Sequence, residues 1–219
     1  MRMTGLTGMV FAGALLAGCG QTGPTQTEAD AKSDTSLSLS LPTTVNWSLD
    51  TEASRIGFTS IKAGEIVETH HFSGLSGEVA PSGNAVVDVP LDQVETNIDL
   101  RNERMREMFF ETEAYPVAHI STVIDPDGFK DLPLGTRVQR ELEGTLSLHG
   151  VEAQLIANVY VTRIAKARIE VASVDPVIVY VEDFNLSGGL EALREIASLP
   201  AITPASPVTF TFVFEANES

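Results

Sequence analysis

Basic residues are scarce in this chain. Lys and Arg number 14 among 219 residues against 30 Asp and Glu, a formal charge of −16. A surface that acidic repels nucleic acid and anionic headgroups at long range, which excludes the usual electrostatic route to nucleic-acid binding. Cysteine occurs once, so no intramolecular disulfide can form. Neither G-x-G-x-x-G nor a P-loop occurs, which weighs against nucleotide cofactors, and nothing else implies a cofactor. Gly74-Leu75-Ser76-Gly77 lacks the G-x-S-x-G spacing of a nucleophile elbow. The four histidines, His70, His71, His119 and His149, have no ligand partners at metal-binding spacing. Adjacent residues on a strand point to opposite faces, so His70 and His71 cannot share a metal there. The sequence therefore predicts no metal and no catalytic site. No internal repeat is visible.

What is present begins with an N-terminal leader. Arg2 supplies a positive start, and residues 3 to 18 form an uncharged, mostly apolar run. The run is too short and glycine-rich for a comfortable membrane span and reads as a secretory signal. It ends in Leu16-Ala17-Gly18-Cys19, which resembles the bacterial lipobox, where cleavage precedes an acylated cysteine. An ordinary signal peptide with an incidental cysteine is the alternative. Lipidation at Cys19 would anchor the protein to a membrane leaflet. In lipoproteins an aspartate after the cysteine often marks inner-membrane retention; here Gly20 points to the outer membrane, with the protein facing the periplasm. Residues 1–18 are thus read as signal, 19–44 as a Ser/Thr/Gly-rich tether and 45–216 as the folded domain.

Hydrophobic residues make up 43% of the chain, enough for a core. In the folded part their period is two. Val45, Trp47 and Leu49 alternate, then Ile56 and Phe58. Leu142, Gly144, Leu146 and Leu148 share one face, as do Leu155, Ala157, Val159 and Val161. Ile169 and Val171, then Val177, Val179 and Val181, continue the pattern. Val208, Phe210, Phe212 and Phe214 are expected to face the interior. His149-Gly150-Val151 marks a hairpin. Many antiparallel strands with short turns predict an all-β barrel or sandwich.

Helical spacing occurs twice, at residues 97–116 and 186–199. In the first, Leu100, Met105, Met108 and Phe109 fall near one face until Tyr115-Pro116 returns the chain to extended geometry. In the second, Leu190, Leu193 and Ile196 form a stripe. A barrel with two short helices at its ends is the economical architecture. Arg101, Arg104 and Arg106 cluster in the first segment. They form a solvated face paired with Glu103 and Glu107, or a phosphate-facing patch at a cavity mouth, or a partner contact.

The sequence resembles the YceI-like family of periplasmic proteins. Trp47-Ser48-Leu49-Asp50 with Ser54, Ile56 and Phe58 is similar to the family's opening motif. Asn97-Ile98-Asp99, Arg101-Asn102, Phe109-Phe110-Glu111 and Tyr115-Pro116 resemble its central signature. Residues 143–151, EGTLSLHGV, resemble its hairpin motif. Ala53 stands where the family has histidine. The resemblance implies a lipocalin-like antiparallel β-barrel that binds a polyisoprenoid or another long-chain lipid without catalysis. Phe58, Met105, Met108, Phe109, Phe110, Phe210 and Phe212 are then expected to contact the ligand. Arg101 and Arg104 would be available to a phosphate head. A docking module of the cell envelope without a lipid is the rival reading. An enzyme would need a polar cluster inside the barrel, and the sequence displays none.

Overall fold

Long runs in which every second residue is apolar bury that face by packing on another layer or by closing on themselves. The computed structural model, which describes residues 40–217, shows closure. The strands are β1 (Trp47–Leu49), β2 (Arg55–Lys62), β3 (Ile66–Phe72), β4 (Ser76–Val79), β5 (Asn84–Pro90) and β6 (Val94–Glu95). They continue with β7 (Val117–Val123), β8 (Arg137–Leu148), β9 (Val151–Ala165), β10 (Arg168–Ser173), β11 (Val177–Tyr180) and β12 (Ala205–Ala216).

The ring runs β1-β4-β5-β7-β8-β9-β10-β12, and β12 pairs back to β1. It is an eight-membered, closed, antiparallel barrel, as expected. Toward one end the wall is continued by β2 and β3 beyond β1 and β4, and by β11 beyond β10. Closure leaves the ring without an open edge for another chain to extend. The four residues Val208, Phe210, Phe212 and Phe214 face inward, as do the predicted stripes of β8, β9, β10 and β11.

The longest hairpin, β8–β9, turns through His149 and Gly150, whose φ values of 51° and 75° are both left-handed. That is the two-residue turn whose twist matches the flanking strands. A side chain at Gly150 would bring Cβ to 2.9 Å from the Tyr115 ring. His149 Nε2 lies 2.8 Å from Glu111 Oε2, and its ring centroid is 4.3 Å from that of Tyr115. The hairpin motif and the Phe-Phe-Glu…Tyr-Pro motif, separate in sequence, therefore hold each other.

The two ends of the barrel are closed differently. At the far end Leu41 is buried at 4% exposure, and its N–H donates to the Lys130 carbonyl at 2.7 Å. The Trp47 indole donates to the Pro42 carbonyl at 3.1 Å. Packing thus starts four residues before position 45, because the last leucine of SLSLSL finds an apolar seat that alternation alone does not reveal. Cys19 and the leader lie outside the described residues. The near end is covered by α1 (Asp99–Arg104), which runs into a π-helical turn at Met105–Phe109, and by α2 (Ser187–Ile196). The two covers meet at Gly189, where an added Cβ would lie 2.5 Å from the Met108 carbonyl oxygen.

The inward stripes enclose a hollow of about 320 Å³. Phe212 (5% exposed) faces it, whereas Phe184 (1% exposed) packs outside it, surrounded by protein. Truncation removes more contacts where packing is solid. We expect Phe184→Ala to cost about 4 kcal/mol and Phe212→Ala about 3 kcal/mol in denaturant unfolding. A larger loss at Phe212 would mean that protein, not open space, lies against its ring.

Candidate functional site

The hollow is walled almost wholly by carbon. No charged side chain lines it, and its few polar side chains are hydroxyls such as Thr122 and Ser206. An eight-stranded barrel is just wide enough to be filled by its own side chains or to hold one ligand. Here Ala85, Ala118, Gly144 and Ala157 face inward, and their small size leaves the space open. Trp47, Leu41 and Phe129 stand at the far end, and Phe109, Phe110 and Leu186 under the helices. Phe58, Phe210 and Phe212 form part of the wall, with the rings of Phe210 and Phe212 stacked at 4.6 Å.

Beneath the helices a second cavity of about 350 Å³ adjoins the first and shares Phe58, Phe109, Val181 and Ser206 with it. This vestibule is bounded by the tips of β2 and β3, by α1, by α2 and by the segment leading into β12. Leu190, Leu193 and Ile196, the predicted stripe of α2, line it together with Met105. Met108 lines neither cavity. Grouping it with Met105 assumed α-helical spacing, which fails across a π turn closed by a Phe110 N–H to Met105 carbonyl bond of 2.8 Å.

The vestibule also corrects the expectation that the barrel interior contains no polar cluster. Cross-strand pairs put Phe58 opposite His70 and Ser60 opposite Glu68, on the same inward face. Lys62 donates to Glu68 Oε2, and Arg101 NH1 donates to the same oxygen at 2.6 Å. The sequence reading missed this cluster because it needs both the alternation from Phe58 and the β2–β3 register.

The two arginines expected near a phosphate differ sharply. Arg101 Nε donates to Thr96 Oγ1 at 2.8 Å and NH2 donates to the Thr96 carbonyl at 2.5 Å, besides the bond to Glu68. Next to it Asn102 is buried, accepting from the Thr96 N–H at 2.9 Å and from its hydroxyl at 2.6 Å. Arg101-Asn102 is therefore a clamp that fixes α1 to the strand before it. Arg104 also lines the vestibule, but among the described residues its side chain has no hydrogen bond or ion pair.

His70 is 6% exposed and lines the vestibule, its ring centroid 5.2 Å from that of Phe58. Its Nε2 lies 3.1 Å from Ser60 Oγ and 3.7 Å from Glu68 Oε2, while Nδ1 is buried without a hydrogen-bond partner. A hydrolytic triad needs serine and carboxylate on opposite ring nitrogens. Here both approach the same one. Burial pushes the imidazole below its ordinary range, and the Arg101 charge adds to the effect. The Lys62 hydrogen bond holds the Glu68 carboxyl low; partial burial opposes it and the Arg101 charge supports it. His71 lies outside, by Asp92 and Arg106. His119 pairs with Asp88 at 2.7 Å. Among the described residues no group of three His, Cys, Asp or Glu side chains could hold a metal ion.

A family model described as the YceI-like domain matches residues 47–215. Among solved structures, a polyisoprenoid-binding domain from Saccharophagus degradans implicated in plant cell wall breakdown is 36% identical. It covers 79% of this chain and 99% of its own, with a TM-score of 0.77. Burkholderia cenocepacia BcnA, 17% identical, covers 75% of this chain and 98% of its own at a TM-score of 0.57, and shares the fold. No curated protein matches the chain.

The depressed His70 pKa fixes the sign of one pH effect. The unfolded chain takes up a proton near 6.5 while the folded imidazole resists it, so the unfolded state binds more protons. The contribution of neutral His70 is complete above that pH and is lost as the pH falls below it. Urea unfolding at about pH 7.5 and about pH 5.5 should show a drop in wild-type stability that is smaller in His70→Phe. An equal drop in both proteins would contradict the buried neutral imidazole.

Proposed function

The chain belongs to the YceI-like domain family, and from that premise we propose that its barrel holds a polyisoprenoid or similar long-chain lipid without catalysing a reaction. The observation that carries this reading is the hollow, lined by no charged side chain and kept open by small inward residues. Support comes from the 36%-identical relative, described as a polyisoprenoid-binding domain. Phe58, Phe109, Phe110, Phe210 and Phe212 would contact the chain in the hollow, and Met105 would contact it in the vestibule. A docking module without a ligand gives no reason for such a hollow. An enzyme would need a better oriented base than His70.

Burial would supply the affinity. Each buried CH₂ contributes about 0.8 kcal/mol, so a twenty-carbon isoprenoid offers roughly 16 kcal/mol. Lost translational freedom and chain ordering cancel a large part of this, which leaves dissociation constants on the order of micromolar.

The proposal extends to location. The protein would be a lipoprotein of the bacterial envelope, anchored through acylated Cys19 and facing the periplasm, at the outer membrane. Its support is Leu16-Ala17-Gly18-Cys19 at the end of an apolar leader. Metabolic labelling with a fatty acid should mark the wild type and not Cys19→Ala; an unlabelled wild type would remove the anchor.

The single tryptophan, Trp47, stands at the far end of the hollow and reports its occupancy. Titrating the full chain with isoprenoid alcohols of increasing length should change Trp47 emission only once the chain is long enough to reach it. Ala157→Phe, which fills the middle of the hollow, should abolish the response with the fold intact by circular dichroism. No binding of any isoprenoid to the folded wild type would reject the lipid reading.

A further inference from the structure

The vestibule is chemically unlike the rest of the molecule. The chain carries 30 carboxylates against 14 basic residues, yet no Asp or Glu lines this cavity, while Lys62, Arg101 and Arg104 all do. Lys62 and Arg101 are both paired with Glu68, whose carboxylate also lies 3.7 Å from His70 Nε2 and offsets their charge. Arg104 has no such partner among the described residues. It is half-buried amid apolar side chains of both helices, where a guanidinium keeps its charge and lacks full hydration. His70, on the wall of the same cavity, has its Nδ1 buried without a partner.

We propose that the vestibule receives the oxyanionic head of the bound lipid, a phosphate or a carboxylate, and that Arg104 is the side chain that meets it. The proposal rests on the reading that the adjoining hollow holds the lipid's tail. The two volumes share Phe58 and Phe109, so a tail lying in the hollow directs its end toward the vestibule. Lys62 and Arg101, fixed on Glu68, frame the site without changing partners. Arg104 alone has its whole fork of donors free for a bidentate contact. The overall charge of −16 opposes an anion at a distance. Salt screens that repulsion beyond roughly 8–10 Å, whereas a charge-assisted hydrogen bond in a partly dry pocket is screened far less. The site therefore discriminates by local contact: it holds an acidic head on a long tail, and the apolar rim of Leu190, Leu193 and Ile196 gives a free anion little purchase.

The test compares geranylgeraniol with geranylgeranyl phosphate, and hexadecanol with palmitate, on the full chain and on Arg104→Met, by isothermal titration calorimetry, which reads binding at any chain length. The wild type should favour at least one acid over its alcohol by about tenfold or more, the scale of one hydrogen bond to a charged group. Arg104→Met should lose that preference while retaining affinity for the alcohol, and Arg104→Lys should recover part of it. The two pairs distinguish a phosphate from a carboxylate head. Equal binding of acid and alcohol by the wild type would overturn the head-group assignment and leave the lipid reading standing. A preference that persists in Arg104→Met would overturn the role of Arg104. Displacement of the lipid acid by a modest excess of inorganic phosphate would assign the site to a free anion and overturn the lipid-head reading. If no lipid of either kind binds, the underlying reading fails instead, which is a different result.

Discussion

The structure depends on the closure made by β12. On one edge this strand pairs with β10 and β11, and on the other with β1 and β2, so its twelve residues join both margins of the sheet. Once the sheet is closed, every strand has one face inside and one outside, and the apolar period of two has a single solution. Eight strands enclose a space that large side chains would fill. Glycine and alanine at several inward positions leave it unfilled, so one closure explains both the stability of the wall and the presence of a cavity. Closure also creates two ends that a sheet cannot seal. The chain seals the far one with the apolar segment around Leu41 and Trp47, and the near one with two helices.

That difference between the ends gives the molecule a direction. At the far end the seal is carbon packed on carbon, with hydrogen bonds from the Leu41 N–H and the Trp47 indole to backbone carbonyls. At the near end the wall strands carry Ser60, Lys62, Glu68 and His70 inward, and α1 adds Arg101 and Arg104. The polar groups sit beneath the helices that cover this end. A molecule with a long apolar body and a polar end can lie in these cavities in only one sense.

Much of this was legible in the sequence, and what was not has physical reasons. The inward stripes of β8, β9 and β12 follow from alternation, because a period of two has only two faces. Pro116 set the start of β7, since proline excludes the helical geometry of Tyr115. His149-Gly150 set the hairpin. The fates of Arg101 and Arg104 could not be separated, because their spacing on a helix is equivalent. Thr96, together with Glu68 on a strand 33 residues away, makes one a clamp and leaves the other unpaired. Met108 was misplaced by a π turn, which no residue pattern announces. The buried Arg163 also had no local signal: its guanidinium is satisfied by the carbonyls of Leu132, Ala165 and Lys166, groups that every residue possesses.

The central claim is that the interior hollow is a lipid site and not a packing defect. Native mass spectrometry of the full chain, purified from the organism that makes it, tests this most directly. The account predicts a population heavier than the polypeptide by one long-chain lipid, whose ejection returns the protein to its bare, still folded mass. A protein that leaves its own cells with no lipid beyond any covalent anchor, and takes none up when offered isoprenoids, would contradict it.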